Sequence, residues 1–428
     1  MLKKCYKMKL KFLGGCNEVG RSAILVDDTI LIDYGMKPSD PPGLPLEVEG
    51  TVLKSVIVSH AHLDHSGMVP SLMDRGKAPD VYMTAVTTDL TMLLGRDTIK
   101  VGKEEGYVFF TEEDVRRMAE CTHAVAYGER LTVNGSDYEC ELHNAGHIPG
   151  SSSVYLRKES EDISLFYTGD IKMGVTRLME SASPADFPPS DILLIESTYF
   201  NREHRDRMEQ EREFIDSIRE TIDSGGNAIV PCFAIGRTQE IVMILHSYGL
   251  TPYVDGMGLT VFNLFRNYPA FLKDAEAMND AFDGAQFVNS RSRKKALAEP
   301  SVIVTTAGML NGGPVLYYLK KIHEDPRGKV LLTGYQIEGT NGRRLLEEGC
   351  VETNGERVKV SAGVEQYDFS AHAGDSELKE LVARFCKRGT EVVFMVHGER
   401  TEEFAAWTRD NFGCEAIAPS IGEEFTIE

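Results

Sequence analysis

The stretch Ser55-Val56-Ile57-Val58-Ser59-His60-Ala61-His62-Leu63-Asp64-His65 indicates the fold class of this chain. Its first five residues contain three β-branched apolar side chains in a row, which is typical of a short strand buried on both faces of a sheet. The pattern H-x-H-x-D-H follows at once, so it begins where a strand ends and a loop starts. Open α/β sheets bind their ligands at that place. The stretch therefore predicts an α/β fold with a site at this strand end.

The residue types in this pattern are those that bind zinc and similar metals, through imidazole nitrogen and carboxylate oxygen. On an extended segment, residues two apart point the same way, so His60 and His62 would bind one ion together. The turn that follows would direct Asp64 and His65 toward a second position. Two neighbouring metals can stabilise the attacking and leaving oxygens of a phosphoryl transfer. A surface turn of unrelated polar residues is the less favoured alternative.

Acidic residues or histidines also end several other predicted strands. Asp33 would orient a metal ligand or close a turn, and Asp170 would bridge two metals through its two carboxylate oxygens. His147 follows a strand at a turn that contains glycine and proline, where it would supply the third protein ligand of the first metal. Glu196 and His397 end two later strands. The repetition predicts that several strand ends converge on one site.

Length and composition bound the class of protein. A chain of 428 residues exceeds one ordinary core and favours two or three domains. No apolar run reaches the roughly 20 residues of a membrane helix, and Met1 to Lys7 leads into no apolar signal segment. The eight cysteines are scattered without a C-x-x-C pair, which favours reduced thiols and a cytoplasmic protein.

The net charge of −20 alone counts against nucleic-acid binding, because phosphate contacts need local positive charge. However, the field that matters is the field in the binding groove, where bound divalent metals are often the largest charges. The charge therefore leaves a nucleic-acid substrate open.

The middle of the chain repeats a strand–loop–helix order, with small residues in the loops at 307–313 and 334–340. Helix N-termini of this kind offer backbone N–H groups to anions, so the loops would line a phosphate track. Arg237, Arg343 and Arg344 are the expected basic lining of that track. No G-x-G-x-x-G or Walker sequence is present, which argues against a nucleotide cofactor. The basic run at 291–295 is more typical of a solvated face.

Taken together, these residues resemble the metallo-β-lactamase superfamily and, within it, the β-CASP branch that processes nucleic acids. The motifs that carry the resemblance are Asp33, H-x-H-x-D-H at 60–65, His147 in A-G-H-x-x-G-S, Asp170 in T-G-D, Glu196, His372 in F-S-A-H and His397 in V-H-G-E. The segments G-C-N-E-V-G-R-S, C-F-A-I-G-R-T-Q-E and G-Y-Q-I-E-G-T are similar to the cleavage and polyadenylation specificity factor nucleases. The chain resembles the short archaeal members of that group, which lack KH domains.

The resemblance implies a metallo-β-lactamase αββα sandwich with an inserted β-CASP α/β domain. Residues 1–200 and 368–428 would form the sandwich, and residues 201–367 would form the insert. It also implies two Zn²⁺ per chain, with Asp170 bridging them. The implied ligands are His60, His62 and His147 for one ion and Asp64, His65 and His397 for the other. The implied catalytic residues are Asp64, Glu196 and His372.

The resemblance further implies a zinc-dependent ribonuclease that acts on single-stranded RNA in RNA processing or decay. Endonuclease action is favoured over 5′-3′ exonuclease action. Histidine at 397 is associated with RNA-acting members, whereas valine at this position is associated with DNA nucleases. The alternatives are a small-molecule hydrolase of the lactamase or glyoxalase type, a DNA nuclease, and a binding subunit without activity. The sequence leaves open whether the protein forms a homodimer or joins partner processing subunits.

Overall fold

The computed structural model describes residues 7–39, 41–48, 53–73, 78–353 and 355–428. The prediction that the chain begins without a signal segment falls almost wholly outside these residues. The chain forms two compact units. The first comprises Met1–Val175, Ser181–Glu203 and His372–Glu428, and the second comprises Thr176–Glu180 and His204–Ala371. The domain limits predicted at 200 and 367 stay a prediction.

The strands, in chain order, are β1 (Met8–Gly14), β2 (Ala23–Val26), β3 (Ile30–Ile32), β4 (Ser55–Ile57), β5 (Asp80–Met83), β6 (Thr122–Ala124), β7 (Arg130–Thr132), β8 (Tyr138–Asn144), β9 (Ser152–Lys158), β10 (Ile163–Tyr167), β11 (Ile192–Glu196), β12 (Ala228–Pro231), β13 (Tyr253–Asp255), β14 (Gln286–Val288), β15 (Val302–Thr305), β16 (Lys329–Leu332), β17 (Cys350–Thr353), β18 (Glu356–Lys359), β19 (Gly363–Gln366), β20 (Val392–Val396), β21 (Glu415–Ile417) and β22 (Glu424–Ile427).

The α-helices are α1 (Leu63–Ser66), α2 (Ala85–Glu105), α3 (Glu112–Glu120), α4 (Arg207–Asp223), α5 (Arg237–Ser247), α6 (Gly258–Phe265), α7 (Ala275–Asp283), α8 (Arg293–Ala296), α9 (Pro314–Ile322), α10 (Asn341–Glu348), α11 (Asp375–Lys387) and α12 (Thr401–Asn411). Two short 3₁₀ helices span Val69–Leu72 and Pro269–Phe271. Within the described residues, none of these helices is both long and apolar enough to cross a membrane. The cytoplasmic location stays a prediction.

The first unit is built from two seven-stranded sheets, in the orders β22-β1-β2-β3-β4-β5-β6 and β21-β20-β11-β10-β9-β8-β7. Their facing sides share one core, to which Phe12 and Ile57 contribute from one sheet and Leu165, Leu194 and Phe394 from the other. Alternate residues of the same strands point outward, against helices. This is the four-layered αββα sandwich that the resemblance implied, and the prediction is confirmed.

Parallel pairing in both sheets positions the site. Strands β3, β4, β5 and β6 run parallel in one sheet, and β10, β11 and β20 run parallel in the other. Strands β10, β11 and β20 have five residues each and all of these are buried, as expected for strands covered on both faces. Because the carboxyl ends of neighbouring parallel strands lie at the same edge, residues far apart in sequence meet there.

The second unit is a separate α/β layer structure. Its six-stranded sheet has the order β14-β13-β15-β12-β16-β19, and each neighbouring pair is parallel. Helices α9 and α10 and the β17–β18 hairpin share a core with this sheet. The segment 201–223 is rich in Arg and Glu and its sequence predicts a helix. In the structure α4 begins at Arg207, because the Asp206 side chain accepts a hydrogen bond from the Glu209 N–H and caps the first turn.

Thr111 and Asp114, three residues apart, have the spacing that predicts a capping box, and this box is present at the start of α3. The Thr111 hydroxyl accepts a hydrogen bond from the Asp114 N–H, and the Asp114 carboxylate accepts one from the Thr111 N–H. We expect Thr111→Ala to lower the free energy of unfolding of the first unit, which contains α3, by about 1 kcal/mol, because a backbone donor loses its partner. Urea denaturation followed by circular dichroism measures the change. Thr111→Ser keeps the hydroxyl and is the matched control; an equal loss in both variants would contradict the capping role.

Candidate metal centre at the ends of parallel strands

Three imidazoles meet at the first half of the site. His60 and His62 come from the loop after β4, and His147 comes from the loop between β8 and β9. Their ring centroids are 4.9 to 5.0 Å apart, and the Nε2 atom of His147 lies 3.1 Å from the Nδ1 atom of His62. Together with Asp170 they form one group whose donor atoms could hold a single metal ion.

A second group lies beside the first. The Nε2 atom of His65 lies 3.3 Å from Asp170 Oδ1, and the Nδ1 atom of His397 lies 3.2 Å from the same oxygen. The Oδ2 atom of Asp64 lies 3.3 Å from His397 Nε2. Gly35 permits this arrangement, because a Cβ atom there would overlap the carbonyl group of Asp64.

Asp170 faces both groups. Its Oδ1 atom points toward His65 and His397, while its Oδ2 atom lies 3.5 Å from His60 Nε2 and 3.7 Å from His147 Nε2. The residue is 2% exposed and lies three residues after the end of β10. One carboxylate therefore has one oxygen on each side of the centre, which is the geometry of a bridging ligand.

A hydrogen-bonded layer behind the histidines fixes their orientation. The Nδ1 atom of His65 lies 2.7 Å from Asp33 Oδ2, and Asp33 also accepts hydrogen bonds from the Ser59 N–H and hydroxyl and from the Tyr167 hydroxyl. The Ser59 hydroxyl lies 3.1 Å from His60 Nδ1. Both histidines thus use Nδ1 for outer contacts and turn Nε2 inward. Sequence reasoning singled out Asp33 but missed Ser59 and Tyr167.

The inward-facing atoms fit divalent metals. Among the described residues, the Nε2 atoms of His60 and His65 and the Oδ1 atom of Asp170 are buried and find no hydrogen-bond partner. Such atoms are costly to bury unless something binds them. Burial also lowers the pKa of His60 and His62, which favours the neutral ring that binds metals. Five imidazoles and two carboxylates around this centre form a donor set suited to zinc.

His372 and Glu196 form a pair at the edge of this centre. The Nδ1 atom of His372 lies 2.9 Å from Glu196 Oε2, while the Glu196 side chain is fully buried and accepts a second hydrogen bond from the Ile171 N–H. The Nε2 atom of His372 lies 3.9 Å from Asp170 Oδ2. Burial opposes the charged ring, but the carboxylates of Glu196 and Asp170 outweigh it and raise the pKa of His372 to about 9.

The three arginines predicted to contact substrate lie in the second unit. The Arg237 guanidinium donates to the Thr333 carbonyl, and Arg343 pairs with Glu347 one helical turn away. Arg344 pairs with Glu352 at 3.3 Å. The structure thus gives each of these cations a partner within its own unit, and their role in substrate binding stays a prediction.

Comparison with known proteins supplies the family. Three family models match successive parts of the chain: the Metallo-beta-lactamase superfamily over residues 17–193, the Beta-Casp domain over 238–345, and the Zn-dependent metallo-hydrolase RNA specificity domain over 357–419.

Similar proteins occur in archaea. The chain is 36% identical to "Probable RNase MJ4" of Methanocaldococcus jannaschii, over 98% of this chain and 100% of that protein. It is 35% identical to "RNase aCSPSF2" of Saccharolobus solfataricus, over 98% of this chain and 85% of that protein. It is 33% identical to "Transcription termination factor FttA" of M. jannaschii, over 97% and 71%. The chain therefore belongs to the β-CASP ribonuclease family of the metallo-β-lactamase superfamily, a family of metal-dependent hydrolases.

Proposed function

We propose that this protein is a two-zinc endoribonuclease that hydrolyses phosphodiester bonds of single-stranded RNA. The observation that carries the proposal is the position of the His372–Glu196 pair beside a centre whose bridging carboxylate faces two groups of donor atoms. A hydrolase of small molecules needs the centre but has no evident need for this pair. The relatives named RNases support RNA as the substrate.

The metal ligands follow from the two groups of donor atoms. His60, His62 and His147 would hold one Zn²⁺, and Asp64, His65 and His397 the other, with Asp170 shared between them. When bound, the two ions would supply a water nucleophile of lowered pKa and positive charge for the phosphate oxygens. Asp33 and Ser59 keep the histidine rings turned toward that space.

The chain itself supplies the proton for the leaving group. Glu196 holds His372 through Nδ1, so the Nε2–H of the charged ring faces the centre. As the water oxygen bonds to phosphorus, the bond from phosphorus to the 3′-oxygen breaks and that oxygen takes the Nε2 proton. The products carry a 5′-phosphate and a 3′-hydroxyl. His372 then recovers a proton from solvent, to which 18% of its side chain is exposed.

The pH dependence of cleavage tests the Glu196–His372 pair. An acid must be protonated to act, so activity is lost as the pH rises through the pKa of His372. The Glu196 carboxylate favours the charged ring, so we expect Glu196→Gln to move the alkaline limb of the single-turnover pH–rate profile to lower pH. Glu415→Gln, an exposed change in β21, is the control. An alkaline limb that does not move would contradict the assignment.

The proposed activity is tested with one body-labelled single-stranded RNA in matched 5′-monophosphate and 5′-hydroxyl forms. We expect internal fragments from both forms, loss of cleavage with a chelator and recovery with Zn²⁺. Mononucleotides from the 5′-monophosphate form alone would replace the endonuclease by a 5′-3′ exonuclease. A zinc-loaded protein that cleaves neither form would overturn the proposal and favour a hydrolase of small molecules. Hydrolysis of a β-lactam and of a thioester would then be measured.

A further inference from the structure

Lys172 is a buried cation next to the proposed acid. It follows Asp170 by two residues and is 8% exposed, although lysine is rarely buried unless its ammonium group is paired. Its Nζ atom donates a hydrogen bond of 3.0 Å to the carbonyl oxygen of His372 and lies 3.6 Å from Glu377 Oε2. The charge is therefore directed at the main chain of His372 and at the helix that follows it.

The main chain of Lys172 is held on both sides. Its N–H donates to the Ala145 carbonyl at 2.8 Å, two residues before the proposed ligand His147, and its carbonyl accepts from the Ala182 N–H at 2.8 Å. The preceding carbonyl, that of Ile171, accepts from the Ala373 N–H at 2.6 Å. Residues 171 and 172 are therefore hydrogen-bonded both to the loop that carries His147 and to the segment that carries His372.

The other contact of Lys172 extends this link to the start of α11. The Glu377 carboxylate accepts a hydrogen bond from the Gly374 N–H at 2.9 Å and so caps α11, which begins three residues after His372. The ammonium group lies between this cap and the His372 carbonyl. Loss of the charge would leave both acceptors without their shared donor while the ring contact to Glu196 remained.

We propose that Lys172 is a positioning residue for the leaving-group proton: it holds the His372 main chain so that Nε2 faces the 3′-oxygen. The inference rests on the proposed role of His372 as the acid. Displacement of a catalytic group by about 1 Å can slow a reaction roughly 10²-fold, so a hydrogen bond to its main chain has a measurable effect.

The test compares two leaving groups in one RNA. In the natural linkage the bond from phosphorus to the 3′-oxygen breaks and the oxygen needs a proton. In a 3′-S-phosphorothiolate linkage the bond from phosphorus to sulfur breaks, and the less basic thiolate leaves without one. We expect Lys172→Met to slow single-turnover cleavage of the oxygen linkage by roughly 10- to 100-fold and of the sulfur linkage by less than about 3-fold. Zinc content is expected to match that of the unmodified protein.

Three further variants separate the explanations. Lys172→Arg keeps a charged donor and is expected to recover most of the oxygen-linkage rate. Lys379→Met removes another lysine of the same region, which pairs with Asp375 on α11, and is expected to leave both rates unchanged. His372→Ala is expected to show the same selective loss as Lys172→Met, only larger, and the double variant is expected to be no slower than His372→Ala.

Each outcome bears on a different claim. If His372→Ala shows the sulfur rescue but Lys172→Met is slowed equally on both linkages, or is slowed without recovery in Lys172→Arg, the positioning role is wrong and the proposed acid stands. If His372→Ala is slowed equally on both linkages, the proposed acid is wrong and the positioning role falls with it.

Discussion

Asp170→Asn is expected to abolish detectable RNA cleavage, with a loss of roughly 10³-fold or more, and to lower the zinc content below two ions per chain. The carboxylate has one oxygen toward each group of histidines, so replacing one oxygen by an amide nitrogen removes a shared ligand and a negative charge from the centre. Interactions of this kind contribute several kcal/mol to the stabilisation of the transition state. The measurements are single-turnover cleavage and elemental analysis after dialysis.

The control for this variant lies at the other end of the same strand. Asp162 precedes β10, is exposed and adopts a φ of +53°, a conformation that asparagine tolerates. Asp162→Asn is therefore expected to keep both zinc ions and full activity. An Asp170→Asn protein that retains two ions and cleaves RNA at the unmodified rate would exclude Asp170 as the bridging ligand.

His372→Ala is expected to slow cleavage by roughly 10² to 10⁴-fold, the usual contribution of a general acid, while leaving two zinc ions bound. The reason is that His372 Nδ1 faces Glu196 and its Nε2 atom lies 3.9 Å from Asp170, outside both groups of proposed ligands. The two measurements together separate proton donation from metal binding.

A surface histidine provides the control for that experiment. His123 is exposed in β6 and pairs with Asp80 at 3.0 Å. His123→Ala is expected to keep both activity and metal content. If His372→Ala loses zinc in proportion to activity, His372 acts as a ligand and another group must donate the proton.

The sequence allowed much of the site to be predicted because its residues follow strands with an unmistakable pattern. His397 comes directly after the five buried residues of β20, Asp170 lies three residues after those of β10, and His60 follows a shorter run of the same kind. Parallel pairing brings the ends of β10, β11 and β20 to one edge of their sheet, and the packing of the two sheets places the end of β4 beside it. The structure places the seven predicted ligands around that edge, together with Glu196 and His372.

The outer contacts were not predictable in the same way. Ser59 contacts both Asp33 and His60, and the buried Tyr167 hydroxyl reaches Asp33 from 134 residues away in sequence. Neither residue type signals such a role, because the partner is defined only once the two sheets have packed. Lys172 is the same case: a lysine after T-G-D resembles any surface cation until the His372 segment folds over it.

The second unit shows a different limit of sequence reasoning. Residues 253–288 contain two strands of three residues each, β13 and β14, with α6 and α7 between them. Strands so short carry little periodic signal, and their place beside β15 follows from pairing partners rather than from local preference. The helix predicted over 201–223 begins six residues later in the structure, at Arg207. The charged residues before it resemble the interior of a helix, and only the structure shows that Asp206 caps the first turn.

The parallel pairing of β11 with β20 has a consequence during synthesis. It joins Ile192 to Val392, and Asp64 contacts His397 across 333 residues. At roughly 5–20 residues per second, a ribosome needs on the order of tens of seconds to pass from the first member of either pair to the second. From residue 170 until residue 372 is made, the nascent chain already carries His60, His62 and Asp170 but neither His372 nor His397. On the proposed assignment, a growing chain tethered to its own messenger RNA has no complete cleavage centre until residues 372–397 have emerged and β20 has paired with β11.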